Sequence, residues 1–270
     1  MTASIDGALH ARMLEPLLRS AFAEDLGQAG DLTTEATIGA NQQAAATIAV
    51  RADGVVAGLP VAQAAFGFYD PSLRFTPLVS DGDLVPAGTP LATVEGSARS
   101  LLTAERTALN FLQLLSAVAT KTALYVEAVR GTRAQIVDTR KTLPGLRMAQ
   151  KYAVRTGGGV NHRIGLYDAV LIKENHIAAA GGVAPVLQAA AGVAAQASFV
   201  EIEVETLAQL EEALAARATM ILLDNMELPT LREAVRFNAG RAILEISGGV
   251  TLTVSAPSPR PASTASPSVA

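Results

Sequence analysis

The 270-residue chain contains no cysteine, which rules out disulfides and thiolate chemistry and leaves histidine and carboxylates as the side chains able to hold a metal ion. It also lacks an excess of positive charge, with 21 Lys and Arg against 25 Asp and Glu and a net charge of −4. Whole-chain attraction to nucleic acid therefore has no basis, and any anion site has to be local. A long apolar run is missing too. The longest uncharged stretch, Ile177 to Val200, is interrupted by Pro185, several glycines, Gln188 and Gln196, so no membrane span is expected. The first ten residues carry no basic flank ahead of an apolar core, and a cytoplasmic protein is the default expectation.

What is present is 50% hydrophobic and 17% charged, a globular composition long enough for a large α/β domain with a smaller partner. Met13, Leu14, Leu17, Leu18, Ala21 and Phe22 recur at helical spacing, ahead of a loop at Gly30-Asp31-Leu32-Thr33-Thr34. Alternation at Ala46, Ile48 and Val50 predicts a strand, Pro60 to Tyr69 a helix and Arg74 to Val79 another strand. Ser97 to Arg130 holds no proline and reads as one long helix or two stacked ones. Short strands then alternate with helical segments, at Gln135–Asp138, Ala169–Ile172, Phe199–Val204, Met220–Leu223 and Ala242–Ile246. That rhythm predicts parallel βα units. The expected division is residues 1–115, 116–252 and a tail at 253–270.

Polar residues gather where these strands stop: Asp138-Thr139-Arg140-Lys141, Lys173-Glu174-Asn175-His176, Asp224-Asn225 and Ser247-Gly248-Gly249. In a β/α barrel that edge is the active face. Arg140 and Lys141 pair a forked donor with a point charge, suited to anions. Gly157-Gly158-Gly159 allows close backbone approach, and Asn161-His162-Arg163 adds donors. Lys173 reads either as a surface cap or as a buried functional amine. Glu203 and Asp224 offer hard oxygens for magnesium, although Glu201, Glu203 and Glu205 would also suit a half-exposed strand. Ser247-Gly248-Gly249 could offer backbone N–H groups to a phosphate, or form a plain tight turn. Together these groups suit a phosphorylated, carboxylated ligand.

The run Asp138 to Arg147, with Lys151-Tyr152-Ala153-Val154, Gly157-Gly158-Gly159, Asn161-His162-Arg163, Gly165-Leu166-Tyr167-Asp168 and Lys173-Glu174-Asn175-His176, resembles quinolinate phosphoribosyltransferases. Gly30 to Thr34, Glu105-Arg106-Thr107 with Asn110, Glu201-Ile202-Glu203-Val204 and Ser247-Gly248-Gly249 extend the likeness. The resemblance implies an α/β fold: an N-terminal α/β sandwich and a β/α barrel-like domain with fewer than eight strands. It implies a homodimer, or a higher oligomer built on one, in which Arg106 reaches the partner's site. It further implies that quinolinate and phosphoribosyl pyrophosphate become nicotinate mononucleotide, pyrophosphate and carbon dioxide, with magnesium and no organic cofactor. Arg106, Thr139, Arg140, His162 and Arg163 are then substrate-binding, Lys141 and Lys173 complete the cationic pocket, Glu203 and Asp224 face ribose and magnesium, and Ser247, Gly248 and Gly249 seat a phosphate. Lys141, Lys173, Glu203 and Asp224 are the catalytic candidates.

Two rival readings remain at this point. The molybdenum-associated paralogue of the same fold is disfavoured by Lys173-Glu174-Asn175-His176. A catalytically impaired relic or dimer partner is suggested by Thr253 to Ala270, a Ser-, Pro- and Ala-rich stretch whose one charge is Arg260. It reads as a disordered or replaced terminus without the strand and second phosphate loop that the family carries there.

Overall fold

The computed structural model describes residues 11–252 and 264–265. They fall into two compact units, Met1–Ala123 with Leu143–Gly158, and Leu124–Thr142 with Gly159–Ala270. Residues 143–158 thus pack with the first unit, which the linear division at residue 115 does not anticipate. The other end of the boundary lies inside a helix and leaves no break in the hydrophobic pattern.

In the first unit, α1 (Ala11–Leu26) buries Leu14, Leu18 and Phe22, one per turn. Asp31 caps α2 (Leu32–Thr37) by accepting the Thr34 N–H at 2.9 Å. Next come β1 (Gln43–Ala49), β2 (Gly54–Val55), α3 (Leu59–Tyr69), β3 (Arg74–Pro77), β4 (Leu84–Val85), β5 (Pro90–Ser97) and α4 (Ala98–Ala128). Strands β1, β5 and β3 form an antiparallel sheet in that order, and β2 pairs with β4. α4 is a single helix of 31 residues. Its buried Leu101, Ala104, Ala108, Leu112, Leu115 and Ala119 keep a spacing of three or four, so one continuous stripe faces the core. α5 (Arg147–Thr156) is anchored by Tyr152, whose hydroxyl donates to Asp81 at 2.6 Å. Asp81 also accepts the N–H groups of Gly58 and Leu59 at the start of α3. Burial first, then the Asp81 hydrogen bond and charge, raise the Tyr152 pKa.

The second unit runs β6 (Val170–Ile172), α6 (Glu174–Ala180), α7 (Val183–Ala190), β7 (Val200–Val204), α8 (Leu207–Ala215), β8 (Met220–Asp224), α9 (Leu228–Asn238), β9 (Ile243–Ser247) and β10 (Thr264–Ala265). The sheet is parallel in the order β10-β9-β8-β7-β6. Ile172, Ile202, Val204, Ile221, Leu223 and Leu244 share a core with the apolar stripes of α6 to α9. Because side chains alternate along a strand, the register pairs Leu171 with Glu201, Glu203 with Leu222, Leu222 with Glu245 and Asp224 with Ser247 on the opposite face.

Two expectations need correcting. Gln135–Asp138 is not a strand: Ile136 and Val137 form isolated bridges, Val137 in parallel with Val160, because the neighbouring segment is a glycine-containing loop that presents no regular ladder. The tail at 253–270 lies outside the described residues except for Thr264–Ala265. Those two residues pair with Glu245 and Ile246, so the stretch does add a short strand. Parallel pairing uses backbone groups only, which a Ser- and Ala-rich segment retains between its prolines. Among the described residues no helix is long and apolar enough to cross a membrane.

Candidate active site

The apolar face of the parallel sheet is covered by helices, yet its other face is floored with carboxylates. Glu201, Glu245 and Glu203 are only 0%, 3% and 8% exposed. Charges withdrawn from water to that degree need partners. Only Glu205 is exposed, so the half-exposed-strand reading of the three alternating glutamates fails for Glu201 and Glu203. The reason is that this face looks into the second unit rather than into solvent.

The partners come from the loops at the strands' carboxyl ends. His162 Nε2 lies 2.8 Å from Glu201 Oε2 and 3.4 Å from Glu245 Oε2. The Phe199 ring meets the imidazole edge-on, with 4.9 Å between centroids. Lys173, the residue before α6, places Nζ 2.8 Å from Glu203 Oε2, with its side chain 45% exposed, so it is neither a free surface cap nor a buried amine. Arg163 is 8% exposed. Burial, then the neighbouring positive charge of Arg140, pull its pKa down, while Asp168, Glu201 and Glu203 pull it up. Arg140 is half-buried, and its Nε is buried with no hydrogen-bond partner.

Two aspartates build the loop that carries His162 and Arg163. Asp138 accepts the backbone N–H of His162 at 2.9 Å and the Asn161 side-chain amide at 2.5 Å. Asp168 accepts the N–H groups of Ile164 at 2.8 Å and Gly165 at 2.9 Å. Residue types in sequence gave no role to Asp138, Asp168, Glu201 or Glu245. The available signal was an unusual number of carboxylates on strands otherwise made of Val, Ile and Leu.

At the far side, Asp224 ends β8 half-buried, and Asn225, at φ 54°, donates its N–H to the Ser247 carbonyl at 3.0 Å. Gly248 follows at φ 86°, where a Cβ would stand 2.9 Å from the Asn225 backbone. Glycine is therefore required there on two counts, conformation and space. The result is a side-chain-free turn with two successive left-handed residues, Gly248 and Gly249. Thr139 accepts the Lys141 N–H at 3.0 Å, which shapes the Arg140–Lys141 turn and leaves Lys141 exposed. Arg106 lies in the first unit, exposed on α4.

For a metal, Glu203 and Asp224 lie on one face of adjacent strands, with Glu203 already paired to Lys173. The donor atoms of His162, Glu201 and Glu245 lie within 4.8 Å of one another, but the 2.8 Å His162–Glu201 contact has the length of a charge-assisted hydrogen bond. Taken together, a buried arginine with a half-buried arginine near it, and a lysine, stand among carboxylates, and the sheet face that carries them also carries Asp224, next to the exposed Gly248–Gly249 turn. Such a site can orient an oxyanion-bearing ring and face a developing positive charge with carboxylates.

Residues 31–116 match the family model "Quinolinate phosphoribosyl transferase, N-terminal domain", and residues 118–256 match its C-terminal domain. The chain is 46% identical over 240 residues to the nicotinate-nucleotide pyrophosphorylase (carboxylating) of Mycobacterium leprae, covering 87% of this chain and 84% of that protein. It is 41% identical over 239 residues to the probable nicotinate-nucleotide pyrophosphorylase (carboxylating) of Bacillus subtilis, covering 88% and 82%. The crystal structure of NadC from Streptococcus pyogenes superposes with a TM-score of 0.91 at 41% identity, covering 97% of this chain and 92% of that one. The nicotinate-nucleotide pyrophosphorylase of Francisella tularensis gives 0.89 at 36% identity, with 97% and 92% covered.

Proposed function

This chain belongs to the quinolinate phosphoribosyltransferase family, and from that membership we propose that it transfers the phosphoribosyl group of phosphoribosyl pyrophosphate to the ring nitrogen of quinolinate. Pyrophosphate and carbon dioxide leave, and nicotinate mononucleotide remains. The observation that carries this reading is the buried Arg163 guanidinium beside Arg140, whose Nε has no partner of its own. Two forked cations held close together in a dry site suit a ligand with adjacent carboxylates.

In this reading Arg140, His162 and Arg163 hold the two carboxylates and aim the pyridine nitrogen at the ribose anomeric carbon. The nitrogen lone pair forms the new bond, while the electrons of the carbon–oxygen bond leave with pyrophosphate. Lys141 and Lys173 meet the phosphate charge. Glu203 and Asp224 face the positive charge that develops on the ribose ring, and the backbone of Ser247, Gly248 and Gly249 seats the 5′-phosphate. Once the ring nitrogen is cationic, the electron pair of the bond to the 2-carboxylate falls back to the ring. Carbon dioxide departs and a proton takes its place. The hard oxygens of Glu203 and Asp224 fit a magnesium ion, held directly or through water, which when bound supplies counter-charge for pyrophosphate. Arg106, exposed on α4, is assigned to the partner's site of a homodimer.

Purified protein supplied with quinolinate, phosphoribosyl pyrophosphate and magnesium is expected to form nicotinate mononucleotide with equimolar carbon dioxide. Folded, substrate-saturated protein that forms neither would overturn the proposal.

A further inference from the structure

Three groups that the proposed reaction does not use pack against the His162 ring. Its Nε2 edge meets Glu201 at 2.8 Å and Glu245 at 3.4 Å, and Phe199 packs edge-on 4.9 Å away. Glu201 sits on β7 and is fully buried, and Glu245 on β9 is 3% exposed. The register sets Glu245 level with Leu222 of β8 and Glu201 level with Met220, two residues earlier, on the face that carries Glu203 and Asp224. Glu201 Oε1 is buried and makes no hydrogen bond. A carboxylate kept dry with one oxygen unused is costly, and the fold keeps Glu201 in that state with a second buried carboxylate, Glu245, against the same histidine.

We infer that Glu201 and Glu245 are positioning residues for the dicarboxylate pocket, fixing the His162 ring from below so that it and Arg163 present one preset arrangement to the substrate carboxylates. The inference rests on the proposed quinolinate reading. It does not require either glutamate to touch the substrate. Arginine-rich pockets discriminate by geometry as much as by charge, and a ring free to turn about its bonds would lose most of that geometry.

The test uses the full-length protein. Glu201→Gln and Glu245→Gln preserve side-chain size and one acceptor oxygen but remove the negative charge. Each is expected to raise the KM for quinolinate at least tenfold, with the KM for phosphoribosyl pyrophosphate changed less than twofold. In a His162→Ala background, Glu201→Gln should add less than a twofold further loss, because a residue acting through His162 has nothing left to act on. A merely structural role predicts otherwise, with both KM values and the melting temperature shifting together and losses multiplying in the double variant. Full additivity, or unchanged quinolinate KM in both single variants, overturns the inference. If Glu201→Gln fails to fold, Glu245→Gln with the same His162→Ala cycle decides it. Failure of the wild-type protein to turn over quinolinate would instead count against the functional reading, which keeps the two outcomes apart.

Discussion

In the proposed site, Arg163 is the side chain on which the preference for a dicarboxylate would turn. A guanidinium at 8% exposure is stabilised by Asp168, Glu201 and Glu203 and opposed by Arg140, so the pocket keeps room for further negative charge. Arg163→Ala, or Arg140→Ala, is expected to weaken quinolinate by about 1.5–3 kcal/mol, roughly tenfold to a hundredfold, while phosphoribosyl pyrophosphate is affected far less. Calorimetric titration of each ligand checks this, and equal weakening of both would count against the assignment. Gly248 makes the complementary case on the backbone. Its left-handed φ and the 2.9 Å approach to Asn225 leave no place for a methyl group. Gly248→Ala is expected to push the turn away from Asn225, at a cost of about 1–3 kcal/mol for backbone strain. It should raise the KM for phosphoribosyl pyrophosphate at least tenfold, and unchanged kinetics would mean that the turn seats no phosphate.

Among the elements, α2 and α4 are joined through one carboxylate. Asp31 accepts the Thr34 N–H at the start of α2 and the Thr103 hydroxyl of α4, both at 2.9 Å. Hydrogen bonds from Thr34, assisted by the Thr103 hydroxyl, hold the Asp31 carboxyl below its ordinary 3.8 against the opposing effect of burial. A depressed folded-state pKa stabilises the protein above the unfolded value, and the stabilisation is lost as pH falls through the folded one. Asp31→Ala is therefore expected to cost about 0.5–2 kcal/mol at neutral pH, the usual value of a helix cap. Thermal melts of both proteins should draw together as the solution is taken below pH ~4. A melting difference that stays constant through that acid range would show that the cap does not act through its charge. The strands teach a related point. Val170–Ile172 is legible as a short apolar run and Val200–Val204 by its alternation, whereas Gln135–Asp138, with Ile136 and Val137 at its centre, forms only isolated bridges. Strand propensity is satisfied by a ladder, and the ladder depends on what the neighbour is.

At the scale of the whole molecule, the exposed Arg106 and the exposed Lys141 belong to different compact units. If the site is shared across a homodimer, mixing inactive Arg106→Ala and Lys141→Ala subunits should restore activity. One of the two sites in each mixed dimer would then hold both wild-type residues, giving at most about a quarter of the wild-type rate after full exchange. Activity that stays at the level of the separate variants after verified subunit exchange would place the site within one chain.

Most of the elements, and the family, are legible in the order of residues alone. Apolar spacing of three and four marks α1 and α4, alternating strands and helices mark the parallel sheet, and the run from Asp138 to His176 marks the family. These are local properties, written in the order of side chains along a few turns or strands. The tertiary structure decided which carboxylates are withdrawn from water, that residues 143–158 return to the first unit, and that His162 rests on Glu201 and Glu245. Burial, partnership and register depend on residues brought from distant parts of the chain. Glu201 and Glu205 lie on the same period-two pattern, and only the packing around β7 makes one of them interior and the other exposed.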